Sequence, residues 1–212
     1  MNNVVEKISK YKIVPVIAID NPDHALPLAD ALSAGGLPLI EITFRTAAAA
    51  EVIATLRKQR PDMLLGAGTI LTIADLKTAI DAGAQFAVAP GINTNIIKEA
   101  QRNDLPFMPG IMTPTDIETG LSLGIRYFKF FPAEAAGGTK YLSSISAPYL
   151  HKNIKFIPTG GLNTSNLPEY LKMRSVMAVG GTWIARAETI NSANWSEITS
   201  NCHAALNIVN SK

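Results

Sequence analysis

The sequence predicts an α/β fold in which residues 1–212 form one (β/α)8 TIM-type barrel with eight parallel strands and short loops. Three observations predict it. β-rich runs alternate eight times with segments of helical spacing, the pattern of a parallel sheet covered by helices. Paired glycines cluster after the seventh and eighth runs, where barrels build their anion loops. No low-complexity linker or second-domain signal interrupts the chain, whose length fits one domain.

The eight strand candidates are residues 13–19, 38–44, 63–69, 85–89, 106–109, 126–131, 155–159 and 175–180. Between them apolar residues recur at helical spacing, as in Ala25, Leu28, Ala29 and Leu32, or Leu76, Ala79 and Ile80. Asn21-Pro22 and Thr113-Pro114 each read as an N-cap followed by proline at the first helical position. Thr72 with Asp75, and Thr113 with Asp116, have the spacing of a capping box. Gly35, Gly83 and Gly124 are expected to close helices in the left-handed conformation that costs glycine nothing. The competing architecture, an open doubly wound sheet, calls for a glycine-rich turn after the first strand. Here that strand runs into Asp20-Asn21-Pro22, and the glycine pairs come late, which favours the barrel. A barrel of 212 residues is shorter than the usual ~250, so it has little length for lids and suits a small substrate.

Hydrophobic residues make up 47% of the chain and charged residues 17%, a globular balance. The net charge of +2 and scattered lysines and arginines, with no basic stripe interleaved with aromatics, argue against nucleic acid. The single cysteine, Cys202, makes no internal disulfide and no zinc cluster. The first twelve residues are polar, unlike a signal peptide, and no apolar run is long enough for a membrane, so a soluble cytoplasmic protein is expected.

Strand parity then selects candidate chemistry. In Tyr127-Phe128-Lys129-Phe130-Phe131, Phe128 and Phe130 face the helices and Lys129 faces the barrel interior. In the run from Leu39 to Arg45, Ile40, Ile42 and Phe44 face the helices, and Glu41, Thr43 and Arg45 face inward, Arg45 at the carboxyl-end mouth. A buried lysine and glutamate are costly unless they pair or do chemistry. They read either as an ion pair that specifies packing or as a nucleophile with its proton shuttle. The second reading is preferred, because a low-dielectric surrounding favours the neutral amine that attacks a ketone, and perturbed ionisable groups cluster at functional sites. Arg45 offers a planar fork for a carboxylate, against the alternative of a solvated strand end. In Leu65-Gly66-Ala67-Gly68-Thr69, the face of Leu65, Ala67 and Thr69, if inward, brings the Thr69 hydroxyl to the mouth. Pro90 and Phe131 shape the pocket wall.

Thr159-Gly160-Gly161 and Gly180-Gly181-Thr182 follow the last two strands, the places where barrel loops and a short extra helix hold a phosphate on backbone N–H groups. Residues 181–185 are expected to start that helix. A phosphorylated substrate follows.

These stretches, with Pro15-Val16-Ile17, Glu41-Ile42-Thr43-Phe44-Arg45-Thr46, Gly66-Ala67-Gly68-Thr69, Phe128-Lys129-Phe130-Phe131-Pro132-Ala133-Glu134 and Pro158-Thr159-Gly160-Gly161, run in order along almost the whole chain. In them the sequence resembles the 2-keto-3-deoxy-6-phosphogluconate (KDPG) and 2-keto-4-hydroxyglutarate aldolase family. The resemblance implies a class I aldolase without metal or pyridoxal phosphate, with Lys129 as Schiff-base lysine and Glu41 as acid/base. Arg45 and Thr69 would bind the pyruvate carboxylate, and Thr159, Gly160, Gly161, Gly180, Gly181 and Thr182 the rest of the substrate and its phosphate. It further implies reversible cleavage of KDPG to pyruvate and glyceraldehyde 3-phosphate, cleavage of 4-hydroxy-2-oxoglutarate to pyruvate and glyoxylate, and a homotrimer. Three departures stand out: Thr182 for a serine, Phe44 for a leucine, and Ala136 where relatives often have asparagine. Rival readings are an aldolase for the phosphogalactonate epimer, a pyridoxal-phosphate barrel, a metal-dependent aldolase, and a non-catalytic sugar-phosphate-binding barrel. The metal reading lacks a ligand cluster, since His24, His151 and His203 fall on helix or loop segments expected to be solvated.

Overall fold

The computed structural model describes residues 2–211. Its strands are β1 (Ile13–Ile17), β2 (Leu39–Thr43), β3 (Leu64–Gly68), β4 (Phe86–Val88), β5 (Phe107–Met108), β6 (Gly110–Ile111), β7 (Tyr127–Phe130), β8 (Lys155–Pro158) and β9 (Val179–Gly181). All named pairings are parallel. Six strands pair in the order β5-β4-β3-β2-β1-β9, forming a curled sheet, and three pair in the order β6-β7-β8. From β1 to β5 each strand adds to the same edge, and β9 pairs with β1.

The fifth expected strand does not end at Pro109. It resumes at Gly110 beyond the proline, which lacks an N–H and interrupts the ladder. The Pro109 carbonyl still accepts from Lys129 N at 2.9 Å. The eighth expected strand begins late: Val176 makes one bridge to Phe156, and regular pairing starts only at Val179. A second single bridge, Thr159 to Gly180, links the end of β8 to β9.

The helix signals mostly hold. Thr72–Asp75 and Thr113–Asp116 both form complete capping boxes, and Asn21 caps a 3-10 turn, Pro22–His24, ahead of helix Ala25–Ala34. Helix Asn2–Tyr11 precedes the first strand. One glycine assignment moves by a residue. Gly35 keeps φ −77° and Gly36 takes the left-handed turn at φ +83°. Gly35 is needed for space instead, since a Cβ there would lie 3.0 Å from Cys202 Sγ and closer still to its Cβ.

Helices cover the face of the strands that parity assigned to them. Phe128 packs on Gly120 of helix Pro114–Ser122, and Phe130 stacks on Tyr141 of helix Gly138–Ser146 with ring centroids 6.2 Å apart. Both phenylalanines are fully buried. With their rings held outward, the alternate residue Lys129 must point to the opposite face.

Candidate active site

Lys129 sits in β7 and Glu41 in β2, 88 residues apart in sequence. Their side chains meet with Nζ 3.2 Å from Oε1, and the residues are 6% and 3% exposed. The Phe131 ring lies beside the ammonium, its centroid 5.6 Å from Nζ, a distance at which ring and cation attract. Room for the carboxylate comes from β3. A Cβ on Gly68 would lie 2.8 Å from both Cδ and Cγ of Glu41 and would collide with Oε1. Gly66 in the same way makes room for the Phe86 ring. Gly66 and Gly68 therefore form the interior face of β3, and Leu65 and Ala67 lie on the other.

That reverses the expected parity of β3, yet Thr69 still reaches the mouth. It does so by leaving the strand at φ +58°, a conformation strained for a β-branched residue. Strain of this kind, held by its surroundings, concentrates at ligand sites.

One residue along β2 from Glu41's neighbour Ile42, the buried Thr43 donates its hydroxyl to the Ile17 carbonyl at 3.0 Å and accepts from Arg45 Nε at 3.2 Å. This tether fixes one edge of an otherwise exposed guanidinium, whose two terminal nitrogens make no hydrogen bond with the described residues, the geometry for a bidentate carboxylate.

Lys129, Arg45, Thr69, Pro90, Phe131, Thr159, Gly160 and Thr182 all line one cavity of about 200 Å³, together with Val16 and Thr43. The groups come from the carboxyl ends of strands, where barrel enzymes place their chemistry. Glu41 lies beneath, against Lys129. Gly160 and Gly161 follow β8 at φ +102° and +80°, conformations that favour glycine, and the Gly161 N–H has no acceptor among the described residues.

Gly180 and Gly181 are placed differently from the expected cradle. They belong to β9, paired with Val14 and Pro15 of β1, and their missing side chains accommodate Thr159 and the Trp183 ring. Neither lines the cavity. The short helix also starts later than residues 181–185. Gly181 is still strand, residues 182–185 form bends, and helix Ala187–Asn191 follows. His24 is not simply solvated, since it is half-buried edge-on against Trp195 at 5.5 Å between centroids. Among the described residues no three His, Cys, Asp or Glu side chains converge in a metal-ligating group, and no helix is long and apolar enough to cross a membrane.

Sequence reasoning did not assign roles to Val16, Thr43 or Arg186. Parity had already turned Thr43 inward, but its hydrogen bonds depend on the β1–β2 register. Arg186 carried no sequence signal. It lines an adjoining cavity of about 360 Å³ with Arg45 and Thr182, and its guanidinium makes no hydrogen bond or ion pair with the described residues.

A sequence model described as "KDPG and KHG aldolase" matches residues 4–201. The chain is 46% identical over 195 residues to 2-dehydro-3-deoxy-phosphogluconate aldolase of Haemophilus influenzae, covering 92% of this chain and 91% of that one. It is 40% identical to KHG/KDPG aldolase of Escherichia coli over 88% of this chain and 87% of the relative. Among solved structures, KDPG aldolase from Legionella pneumophila, with pyruvate captured as a covalent carbinolamine intermediate, superposes with a TM-score of 0.91 at 40% identity, covering 95% and 97% of the two chains. The chain belongs to the KDPG and KHG aldolase family.

Proposed function

We propose that the protein is a metal-independent class I aldolase, a carbon–carbon lyase acting through a Lys129 Schiff base. It cleaves KDPG reversibly to pyruvate and glyceraldehyde 3-phosphate, and 4-hydroxy-2-oxoglutarate to pyruvate and glyoxylate. The observation that carries this reading is the buried Lys129–Glu41 pair at 3.2 Å under a cavity walled by Arg45 and Thr69. Family membership weighs against the pyridoxal-phosphate and metal-dependent readings.

Lys129 passes a proton to Glu41 and its free amine attacks the C2 carbonyl. Glu41 returns that proton to the carbinolamine hydroxyl, which leaves as water to give a protonated imine. Arg45 and Thr69 hold the C1 carboxylate, which fixes the plane of the imine. Glu41, directly or through a water, takes the proton of the C4 hydroxyl as the C3–C4 bond breaks. The bonding electrons flow into the imine to form an enamine, and the aldehyde leaves. The proton returns to C3, and water hydrolyses the imine to release pyruvate and the lysine. Thr159, Gly160, Gly161 and Thr182 receive the distal phosphate, and the unpaired Arg186 adds a cation beside them. Gly180 and Gly181 act by keeping Thr159 and Trp183 in place.

Residues 1–212 act as one catalytic domain whose two sheets close into a single eight-stranded barrel. β5 and β6 are one strand interrupted at Pro109, and the bridge from Thr159 to Gly180 supports closure between β8 and β9. The protein works in the cytoplasm on small anionic substrates, without nucleic acid or membrane partners. It assembles as a homotrimer, the state the family resemblance implies. The exposed Leu71, Ile73 and Met112 are apolar side chains that an interface could remove from water. Light scattering reads that state.

The central test is to mix protein with pyruvate, add borohydride and map the adduct. A stable adduct on Lys129 is expected. Folded protein that gives none with pyruvate in excess would overturn the Schiff-base reading. A non-catalytic sugar-phosphate barrel predicts instead that Lys129→Met retains ligand affinity and that the wild type shows no turnover.

A further inference from the structure

We infer that Asn166, and Glu134 held by Tyr170, are positioning residues that aim backbone N–H groups of the Gly160–Leu162 loop at the distal phosphate of the substrate. The inference rests on the aldolase reading with a phosphorylated substrate. It extends that reading to side chains that do not line the cavity.

Three successive carbonyls of the segment are held from outside. Ala133 N donates to Thr159 O at 2.8 Å, Glu134 N to Gly160 O at 3.1 Å, and Asn166 Nδ2 to Gly161 O at 3.2 Å. A trans peptide points its N–H opposite to its carbonyl. Fixing the Gly160 carbonyl therefore fixes the direction of the Gly161 N–H, and fixing the Gly161 carbonyl fixes that of the Leu162 N–H. Among the described residues neither N–H donates to an acceptor; Gly161 is exposed and Leu162 is 6% exposed. Successive N–H groups in a turn with left-handed residues form an anion-binding concavity.

The supports are themselves fixed. Asn166 Oδ1 accepts from Asn163 N at 2.9 Å, which leaves its amide nitrogen for Gly161 O. The Glu134 stem packs where a Gly161 side chain would be, 2.7 Å from such a Cβ. Its carboxylate accepts from the hydroxyl of Tyr170, a residue only 1% exposed. Gly138, left-handed at φ +62°, leaves space beside the same carboxylate, 3.1 Å from a Cβ built there. Burial and the neighbouring carboxylate push the Tyr170 phenol well up, so it remains a donor throughout the working range. Glu134 thus ties the turn after β7 to the loop after β8 and to helix Leu167–Lys172.

The test compares wild type, Asn166→Ala and Tyr170→Phe. Inorganic phosphate affinity is measured by calorimetry. Separately, kcat/KM is measured for addition of pyruvate to glyceraldehyde 3-phosphate and to glyoxylate. In Asn166→Ala, phosphate affinity and the ratio of the two kcat/KM values both fall about tenfold, the size of one lost charge-assisted hydrogen bond. Tyr170→Phe, which removes only the hydroxyl, moves both in the same direction. A lower melting temperature with unchanged phosphate affinity and ratio in both variants would show that the two residues only stabilise the fold, and would overturn the inference. Wild type that binds no phosphate would overturn it as well. Phosphate titration needs no turnover, so absence of a pyruvate adduct on Lys129 counts against the aldolase reading separately.

Discussion

Adding a single methyl group at Gly68 should disable the proton shuttle while leaving the nucleophile in place. In Gly68→Ala the new Cβ would lie 2.8 Å from Cδ and Cγ of Glu41, and closer to Oε1. Carbon atoms in contact prefer about 3.5–4.0 Å, so the carboxylate must retreat by roughly 1 Å or more. The Lys129–Glu41 contact, 3.2 Å at rest, is then lost as a hydrogen bond. Overpacking of this kind costs about 1–3 kcal/mol, which for a domain of this size lowers Tm by roughly 2–12 °C. General acid–base catalysis contributes about 10²–10⁴-fold, and turnover should fall by that order. Two assays separate the steps. Borohydride trapping of pyruvate on Lys129 should persist, because the amine remains in the cavity. Exchange of the pyruvate methyl protons with deuterium, followed by NMR, should fall with turnover. Gly68→Ala that keeps exchange and turnover within about threefold of wild type would refute the assignment of the proton shuttle to Glu41.

Four further outcomes are expected. Lys129→Met leaves a carboxylate only 3% exposed without its partner and should cost about 3–5 kcal/mol in thermal unfolding; adding Glu41→Leu should recover most of that, and a fully stable single variant would contradict a buried ion pair. Arg45→Lys should raise KM for pyruvate about tenfold with kcat little changed, since an ammonium lacks the fork that Thr43 orients, and an unchanged KM would move the carboxylate site elsewhere. Thr69→Gly should relieve part of a strain of about 1–3 kcal/mol at φ +58°, raising Tm while KM for pyruvate also rises; a lowered Tm would argue against strain. Burial pushes the Cys202 thiol up to about 12 from 9.0, so its stabilising contribution is complete below pH 9 and is lost as pH rises toward 12. Native protein should accordingly resist thiol alkylation at pH 8 until it is unfolded, and rapid labelling of the folded state would contradict that burial.

Parity made the centre of the site legible. Phe128 and Phe130 are large and apolar on one side of a strand, and a period of two leaves Lys129 no other direction. The same argument turned Glu41 and Thr43 inward. It failed on β3, because glycines carry no side chain to mark a face. Gly66 and Gly68 turn out to be the inward residues, making room for the Phe86 ring and the Glu41 carboxylate. Thr69 reached the mouth through a backbone outlier that no sequence pattern encodes. The cap signals at Thr72 and Thr113 were legible because they are local. Pro109 misled because its missing N–H interrupts a ladder without ending the strand. The packing role of the Gly180-Gly181 pair was hidden for a related reason: the same residue type serves close packing and anion binding, and the contacts with Thr159 and Trp183 appear only in the register against β1. Asn166 had no signal at all, since an asparagine just ahead of a short helix has many uses.

The division of labour in the site follows from where each group is anchored. Lys129, Glu41 and Thr43 stand on strands, with neighbours on both sides fixed by the ladder and by fully buried rings. Under the proposed mechanism, substitutions there disturb packing and chemistry together, because these side chains also fill the interior. Gly160, Gly161 and Thr182 stand on loops whose orientation is set by a few hydrogen bonds from neighbouring segments. Changes in those loops should alter the affinity for the distal group with little effect on imine formation. Arg45 lies between the two regimes. It is exposed, yet its Nε is tied through Thr43 to the Ile17 carbonyl of β1. Removing the Thr43 hydroxyl would free the guanidinium without touching Lys129. The predicted signature is weaker pyruvate binding with the trapped adduct still on Lys129, a combination that neither a purely structural nor a purely catalytic role for Thr43 would produce.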